Sequence, residues 1–297
     1  MSVERPFAYR PSRSLKDKVV IVSGASRGIG REIAVRAGVD GARVALLAKT
    51  ESPNPKIEGT LAQTADAVRS AGGEPLSVAC DVRDPDNVAA AVRKVVEEFG
   101  GVDVVINNAG AIDLRGTPAL PARNFQRLLD INALGPFALV QNTFEHLRGS
   151  ENAHIVNISP PLNLAREWVG AHVGHTVGKY AESLLTLGWA AEFASVPIGV
   201  NSLWPATTLA STGMMSVLGK DAAVAQARHP AIMADAVHAL VTRPAIEYSG
   251  NFFTDEEVLR QEDITDFGSY RLAAREEELT PSFYLPDIAL PVVRAPR

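Results

Sequence analysis

Short apolar runs alternate with longer stretches of helical periodicity from about Lys18 onward. Strands that are apolar on both faces and alternate with helices are typical of a parallel sheet covered on both sides. Because the crossovers between such strands are right-handed, the pattern predicts an α/β fold with a doubly wound parallel sheet of the Rossmann type. The predicted strands are Val19–Val22, Arg43–Ala48, Pro75–Ala79, Val102–Ile106, His154–Ile158 and Val196–Leu203, and the first three predicted helices are Arg31–Val39, Gly59–Ala71 and Pro85–Phe99.

The chain of 297 residues is expected to fold as a single domain with three parts. Residues 1–17 mix cations with prolines and predict an exposed N-terminal arm, and residues 18–254 form the Rossmann domain. Residues 255–297 are acidic at first and predict an extension packed on the same domain. A Pro-rich loop, Glu51–Lys56, follows the second strand on the side where a cofactor would bind.

Composition narrows the class of protein. A hydrophobic content of 46% with 21% charged residues is ordinary for a soluble globular protein. A net charge of -5 gives no electrostatic case for binding nucleic acid or an anionic membrane. The single cysteine, Cys80, excludes an internal disulfide and fits a reducing compartment. The N-terminal residues lack the apolar stretch of a signal peptide, so we expect a cytoplasmic protein.

A glycine-rich loop, Ser23–Gly30, follows the first predicted strand and opens the first helix. In such a loop Gly24 permits a tight turn, Gly28 lets the backbone approach a phosphate, and Gly30 lets the helix pack close to the sheet. The helix N-terminus offers free N–H groups and a positive dipole end to a pyrophosphate. We therefore expect the cofactor to contact Gly24, Ala25, Ser26, Arg27, Gly28, Ile29 and Gly30.

The end of the second strand indicates which dinucleotide is bound. Rossmann sites specific for NAD place an Asp or Glu there to bind the ribose 2′-hydroxyl, whereas NADP sites accommodate the 2′-phosphate with basic groups. Here the strand ends in Lys49-Thr50, with no acid before Glu51, and Arg27 in the glycine loop could reach the same phosphate. This favours NADP(H) over NAD(H); the alternative is that Lys49 and Arg27 are solvated surface charges.

The spacing G-x-x-x-G-x-G and the later segment Asn107–Gly110 resemble the short-chain dehydrogenase/reductase family. The segments Val156–Leu164 and Asn201–Pro205 are most similar to its hydroxysteroid dehydrogenase-like protein 2 subgroup, and this similarity extends roughly from Leu15 to Leu285. Longer members of the subgroup carry a sterol-carrier domain, which this chain is expected to lack. The resemblance implies a mobile lid at Thr207–Leu218, a homodimer or homotetramer, and cofactor contacts from Asp81, Val82, Asn108, Ala109, Gly110, Lys179 and Thr208.

The same resemblance implies a catalytic tyrosine and lysine four residues apart, joined by an asparagine and a serine. In the family the lysine lowers the pKa of the phenol, which exchanges a proton with the substrate oxygen while hydride moves to or from nicotinamide. Asn132, Ser159 and Lys179 match three of these positions, but His175 occupies that of the tyrosine. Tyr180 cannot replace it, because one residue along a helix turns a side chain by about 100°.

Two departures therefore concern the chemistry. Pro160 follows Ser159 at the position where the family commonly has its catalytic serine. The sequence therefore does not indicate whether the Ser159 hydroxyl points toward the substrate. The imidazole of His175 is shorter than a phenol, and the neighbouring Lys179 is expected to keep it neutral. A helical pair of histidines, His172 and His175, could suggest a metal site, but no third ligand is evident and we expect none.

Two functions follow from these residues. The first is an NADP(H)-dependent oxidoreductase acting on an alcohol or carbonyl of a lipid-like substrate, with activity impaired by His175. Losing a general acid typically reduces the rate by about 10²- to 10⁴-fold. The second is a catalytically inactive NADP(H)-binding protein, serving as a sensor or an assembly partner.

Overall fold

A computed structural model of the chain describes residues 7, 9–50 and 59–285. Within these residues the strands form one parallel sheet of seven, in the order β3-β2-β1-β4-β5-β6-β7. This doubly wound arrangement confirms the predicted fold class. The strands are β1 (Val19–Ser23), β2 (Arg43–Ala48), β3 (Glu74–Ala79), β4 (Val104–Asn107), β5 (Ala153–Asn157), β6 (Ile198–Trp204) and β7 (Asn251–Thr254).

Helices cover both faces of the sheet. Along β1, Val20 and Val22 are buried against one helical layer and Val19 and Ile21 against the other, so both faces of each central strand must be apolar. The helices are α1 (Gly28–Val39), α2 (Leu61–Ala71), α3 (Pro85–Phe99), α4 (Ala122–Leu129), α5 (Gly135–Arg148), α6 (Arg166–Ala171), α7 (Val173–Glu192), α8 (Thr212–Leu218), α9 (Lys220–Val224), α10 (Ala231–Val241) and α11 (Asp255–Arg260). Helices α1, α2 and α10 form one layer, and α3, α5 and α7 contribute to the other.

The apolar runs identify six of the seven strands, with shifts of up to two residues at their ends. The strand they miss is β7, Asn-Phe-Phe-Thr, which is too short and too polar at its ends to stand out. Helix α1 begins at Gly28, three residues before the predicted start. Glycine is a poor helix former, so periodicity alone does not include the first turn.

The N-terminal residues pack against the domain more closely than expected. Tyr9 and Leu15 are buried, and the Tyr9 backbone N–H donates to the carboxylate of Asp235 on α10. The prediction of an exposed arm is therefore wrong for these residues, because their apolar side chains find cover beside α1 and α10. The predicted Pro-rich loop, residues 51–56, lies outside the described residues, as do residues 57–58 and 286–297.

The segment after α11 runs back along the domain. Tyr270 is fully buried and its hydroxyl donates to Asp235 at 2.6 Å. Further along, Thr280–Leu285 crosses the loop that leaves β6, and we call these six residues the C-terminal strap. None of the helices in the described parts of the chain has the length and apolar character needed to cross a membrane.

Candidate active site

The strand order reverses between β1 and β4, which are neighbours in the sheet. In open α/β sheets the crevice for a ligand lies at such a reversal, outside the carboxyl ends of the strands. The glycine loop follows β1 and the segment Asn107–Gly110 follows β4, so both predicted cofactor motifs meet at this point.

Asn108 ties the two motifs together. Its side-chain amide donates to the carbonyl of Ser23 at 2.8 Å, and the backbone N–H groups of Asn108 and Ala109 donate to the Ser23 hydroxyl at 3.0 Å. A Cβ atom on Gly30 would lie 2.5 Å from the Asn108 amide nitrogen, and one on Gly24 would lie 2.9 Å from it. Both glycines are thus required by close packing, and Asn108 braces the loop.

The N-terminus of α1 is open to an anion. Its N-cap, Arg27, makes no side-chain capping bond, and the first turn carries no acidic residue. Gly28 has a φ of +55°, and a Cβ there would have Ser211 and Thr212, within the predicted lid, about 3.7–3.9 Å away. Ala25 and Ile29, by contrast, direct their side chains into the apolar core, so only their backbone could serve a cofactor.

Basic side chains cluster at the end of β2. Arg27 donates to the Thr50 hydroxyl at 2.8 Å, and the exposed Lys49 ammonium lies 3.9 Å from the carboxylate of Asp81. Arg83 also pairs with Asp81, at 2.5 Å, which lowers the pKa of that carboxyl. Arg83 precedes α3 and belongs to no sequence motif, and only the fold brings it to this cluster.

Asn132 lies in a π-helical turn, Asp130–Leu134, between α4 and α5. Such turns are rare in proteins, and those that occur are often found at functional sites. The side chain is fully buried: its oxygen accepts from the Ala111 N–H at 3.0 Å and its amide donates to the Ala111 carbonyl at 3.3 Å. A Cβ on Gly110 would lie 3.5 Å from both this oxygen and the Lys179 ammonium nitrogen, so these three residues share one corner.

The Lys179 ammonium group is buried and held from two sides. It donates to the carbonyl of Ile158, beyond β5, at 2.7 Å and to the carboxylate of Glu182 at 2.8 Å. An ammonium group has three donors, so one remains for a ligand. Lys179 lies on a helix, as predicted, and Glu182, which no motif indicated, lies one turn further along α7.

Ser159 faces away from the crevice. It is fully buried, and its hydroxyl lies 2.5 Å from that of Ser202 on β6, which in turn lies 3.0 Å from the Thr186 hydroxyl on α7. The expected catalytic role of Ser159 is therefore not supported by its position. The next residue, Pro160, has no hydroxyl that could take its place.

His175 projects from the same face of α7 as Lys179 and is only 2% exposed. Burial, and to a smaller extent Lys179 and His172, lowers the pKa of His175 to about 4. Within the described residues its Nδ1 atom has no hydrogen-bond partner. The imidazole is thus expected to be neutral, as the sequence predicted, but mainly because it is buried. The neighbouring His172 is accounted for by a hydrogen bond with the Leu114 carbonyl at 2.7 Å.

The C-terminal strap packs beside His175 and the loop that leaves β6. The Thr208 N–H donates to the Thr280 carbonyl at 2.7 Å, and the Trp204 indole donates to the Phe283 carbonyl at 2.9 Å. The Tyr284 ring lies 6.3 Å from that of His175, with a φ of +66° at its own backbone. The strap therefore forms part of an aromatic wall beside His175, together with Trp168, Tyr180, Trp204 and Phe283.

Two threonines begin the predicted lid. The expected nicotinamide contact, Thr208, is held to the strap by its backbone N–H. The hydroxyl of its neighbour Thr207 is buried and has no hydrogen-bond partner within the described residues. Buried hydroxyls are usually paired, so Thr207 is the better candidate for a ligand contact. The sequence alone could not indicate which of these two adjacent threonines would contact a ligand.

Known proteins place this geometry in a family. The short chain dehydrogenase family matches residues 18–223. Hydroxysteroid dehydrogenase-like protein 2 of Bos taurus is 40% identical over 266 residues, which cover 90% of this chain and 63% of that protein. The chain thus spans less than two thirds of the length of this relative.

Solved structures agree in fold. A short chain dehydrogenase from Mycobacterium thermoresistibile is 39% identical, with a TM-score of 0.87 over 92% of this chain and 96% of that one. Carveol dehydrogenase from Mycobacterium avium in complex with NAD has a TM-score of 0.71 at 24% identity, over 82% of this chain and 97% of that one. The chain belongs to the short-chain dehydrogenase family of oxidoreductases, which use a nicotinamide cofactor.

Proposed function

We propose that the protein is an NADP(H)-dependent oxidoreductase acting on an alcohol or carbonyl of a lipid-like substrate, with turnover limited by His175. The observation that carries this proposal is the crevice between β1 and β4, where glycine packing leaves the α1 N-terminus open beside Arg27 and Lys49. The aromatic wall around Tyr284 supports an apolar substrate. The single, buried Cys80 supports a cytoplasmic location.

The residues present fit a dinucleotide phosphate. The open N–H groups at Gly28 would hold the pyrophosphate. Arg27 and Lys49 would hold the 2′-phosphate, with Arg83 adding positive charge to balance Asp81. The free donor of Lys179 would hold the nicotinamide ribose, and Asp81–Val82 would border the adenine. When bound, the nicotinamide supplies or accepts the hydride.

Proton transfer is the step that His175 limits. Carbonyl reduction needs a proton donor at the substrate oxygen. With the pKa of His175 lowered to about 4, only about one molecule in 10³ carries the proton at neutral pH. The inward Ser159 hydroxyl offers no second donor to that oxygen. We therefore propose weak turnover with an intact cofactor site.

A second candidate is a catalytically inactive NADP(H)-binding protein, acting as a sensor or an assembly partner. Two observations favour it: His175 is only 2% exposed, and Ser159 faces Ser202. Both weaken proton transfer and leave the cofactor side of the crevice unchanged.

One experiment separates the two candidates. NADPH and NADH are titrated by fluorescence against wild type and His175→Tyr, and both proteins are assayed on a panel of apolar aldehydes and ketones. Weak wild-type turnover that rises by about 10² or more in the variant is the expected result. Turnover only in the variant would favour the inactive binding protein, and no NADPH binding by either protein would refute the cofactor proposal.

Cofactor choice is tested by reversing one charge. Lys49→Glu should weaken NADPH binding by about tenfold or more and NADH binding much less, because only NADPH carries the 2′-phosphate. Lys94→Glu makes the same charge change on the exposed face of α3 and serves as the control. Equal losses of NADPH affinity in the two variants would mean that net charge, and not contact at β2, governs binding.

A further inference from the structure

A buried carboxylate accompanies the lysine of the site. Glu182 is fully buried, and its Oε2 atom lies 2.8 Å from the Lys179 ammonium nitrogen. Its other oxygen, Oε1, is buried without a hydrogen-bond partner in the described part of the chain. A buried ion pair is often no more stable than well-packed apolar residues of similar volume, so folding alone gives little reason for this carboxylate.

The Glu182 carboxylate changes the electrostatic potential at residue 175. Lys179 lies one helical turn from position 175, and its charge is one of the influences that lower the pKa of His175. The charged or titratable groups that act on His175 from other positions are His172, in the same direction, and Asp113, in the opposite one. A carboxylate in contact with the ammonium group turns a point charge into a dipole, which acts more weakly at a distance.

We propose that Glu182 is a positioning residue of the active site: it fixes the Lys179 ammonium group against β5 and offsets the charge that this group presents to residue 175. The inference rests on the proposed function, because it gives Lys179 its place at the cofactor. It assigns two of the three ammonium donors to Ile158 and Glu182 and leaves the third for the ribose. The paired carboxylate also makes the positive potential at residue 175 smaller than that of a bare ammonium group.

The test uses a phenol as a reporter of charge. The ultraviolet absorbance of phenolate is titrated, without cofactor, in His175→Tyr and in His175→Tyr/Glu182→Gln, with the wild-type titration subtracted. The introduced phenol should ionise about one pH unit lower in the double variant, because the Lys179 charge then acts on it in full. Burial raises the pKa of Glu182 to about 7, although Lys179 opposes this. The effect is thus expected above that pH, where phenols titrate.

A matched control removes another buried carboxylate. Glu32 on α1 is buried, lies 3.6 Å from Arg31 and, like Glu182, has one oxygen without a hydrogen-bond partner among the described residues, so His175→Tyr/Glu32→Gln should leave the phenol titration where it is in His175→Tyr. An unchanged or higher phenol pKa in the Glu182→Gln double variant would overturn the proposal. If that variant does not fold, Glu182→Asp, which withdraws the carboxylate from Lys179, should give a smaller shift in the same direction, and no shift there would refute it.

NADPH affinity and the pH profile of kcat/KM are measured on the same proteins. In variants that turn over a carbonyl, the limb of the profile set by the phenol should move together with its absorbance titration. Loss of NADPH binding throughout would count against the proposed function, whereas the titration would still decide the role of Glu182. The two failures are therefore distinguishable.

Discussion

The protonation of residue 175 is governed first by burial and then by neighbouring charge. Burial is the largest of the influences that lower the pKa of His175 to about 4, and Lys179 acts in the same direction. On a phenol the two influences would oppose each other, since burial raises its pKa and a nearby cation lowers it. A pocket in which burial and a lysine balance each other for tyrosine therefore favours one state, the neutral one, for histidine.

At the same scale, the absence of a side chain at Gly30 lets the glycine loop pack directly against Asn108. An added Cβ would lie 2.5 Å from the Asn108 amide nitrogen and 2.6 Å from the Gly24 carbonyl oxygen, and the second of these is backbone that cannot turn aside. We expect Gly30→Ala to lower the free energy of unfolding by about 1–3 kcal/mol and to weaken NADPH binding by at least about tenfold. Chemical denaturation and fluorescence titration measure the two effects.

Gly101→Ala is the control, because no atom of the described residues lies within 4 Å of a Cβ at that position. Its unfolding free energy should stay within about 0.5 kcal/mol of wild type. A Gly30→Ala variant that matched this control in both stability and affinity would show that the contact between Gly30 and Asn108 is not needed.

At the scale of elements, the parts of the site that are local in sequence could be predicted. The glycine loop, the Asn108 segment and the spacing from His175 to Lys179 each lie at the end of a strand or within one helix, where periodicity and glycine positions are informative. The inward turn of Ser159 depends on Ser202 and Thr186, which come from a different strand and a helix. The strap depends on contacts with Trp204 and Asn163, many residues away, so its sequence alone does not indicate where it packs.

The strap is expected to control access to His175. Tyr284 is 1% exposed and its ring lies beside that of His175, so Tyr284→Ala should open a path to the imidazole. Hydrogen–deuterium exchange at the His175 C2 carbon, followed by mass spectrometry, should then be several-fold faster than in wild type. The lost ring should also lower the unfolding free energy by about 3–5 kcal/mol, as for other large buried aromatic residues.

Phe283→Ala provides the comparison within the same strap. Phe283 is half-buried and its ring lies 6.0 Å from that of His172, so its removal should change exchange at His175 much less. Equal exchange rates at His175 in wild type and both variants would mean that elements other than the strap exclude solvent.

At the scale of the whole molecule, an apolar surface on α7 and at the start of α5 is exposed to solvent. On α7 the side chains of Val173, Val177, Leu184 and Leu187 are 40–57% exposed and fall along one stripe of the helix. Leu134 and Phe137 are exposed at the start of α5, and the Phe137 ring stacks on Trp189 of α7 at 6.5 Å. The stripe and the start of α5 therefore form one patch, whose burial would stabilise a homodimer or homotetramer.

Placing charge in that patch should dissociate the assembly. We expect wild type to sediment as a dimer or tetramer at micromolar concentration, and Val177→Asp/Leu184→Asp to sediment as a monomer, because an unpaired carboxylate cannot be buried without a large loss of hydration. Ile246→Asp is the matched control: this side chain is 66% exposed but lies outside the patch, so the assembly should persist. A monomeric wild type, or a double variant that stays assembled, would rule out α5 and α7 as the interface. Since α7 also carries His175, Lys179 and Glu182, a monomeric variant that keeps NADPH affinity would further show that each subunit holds its cofactor alone.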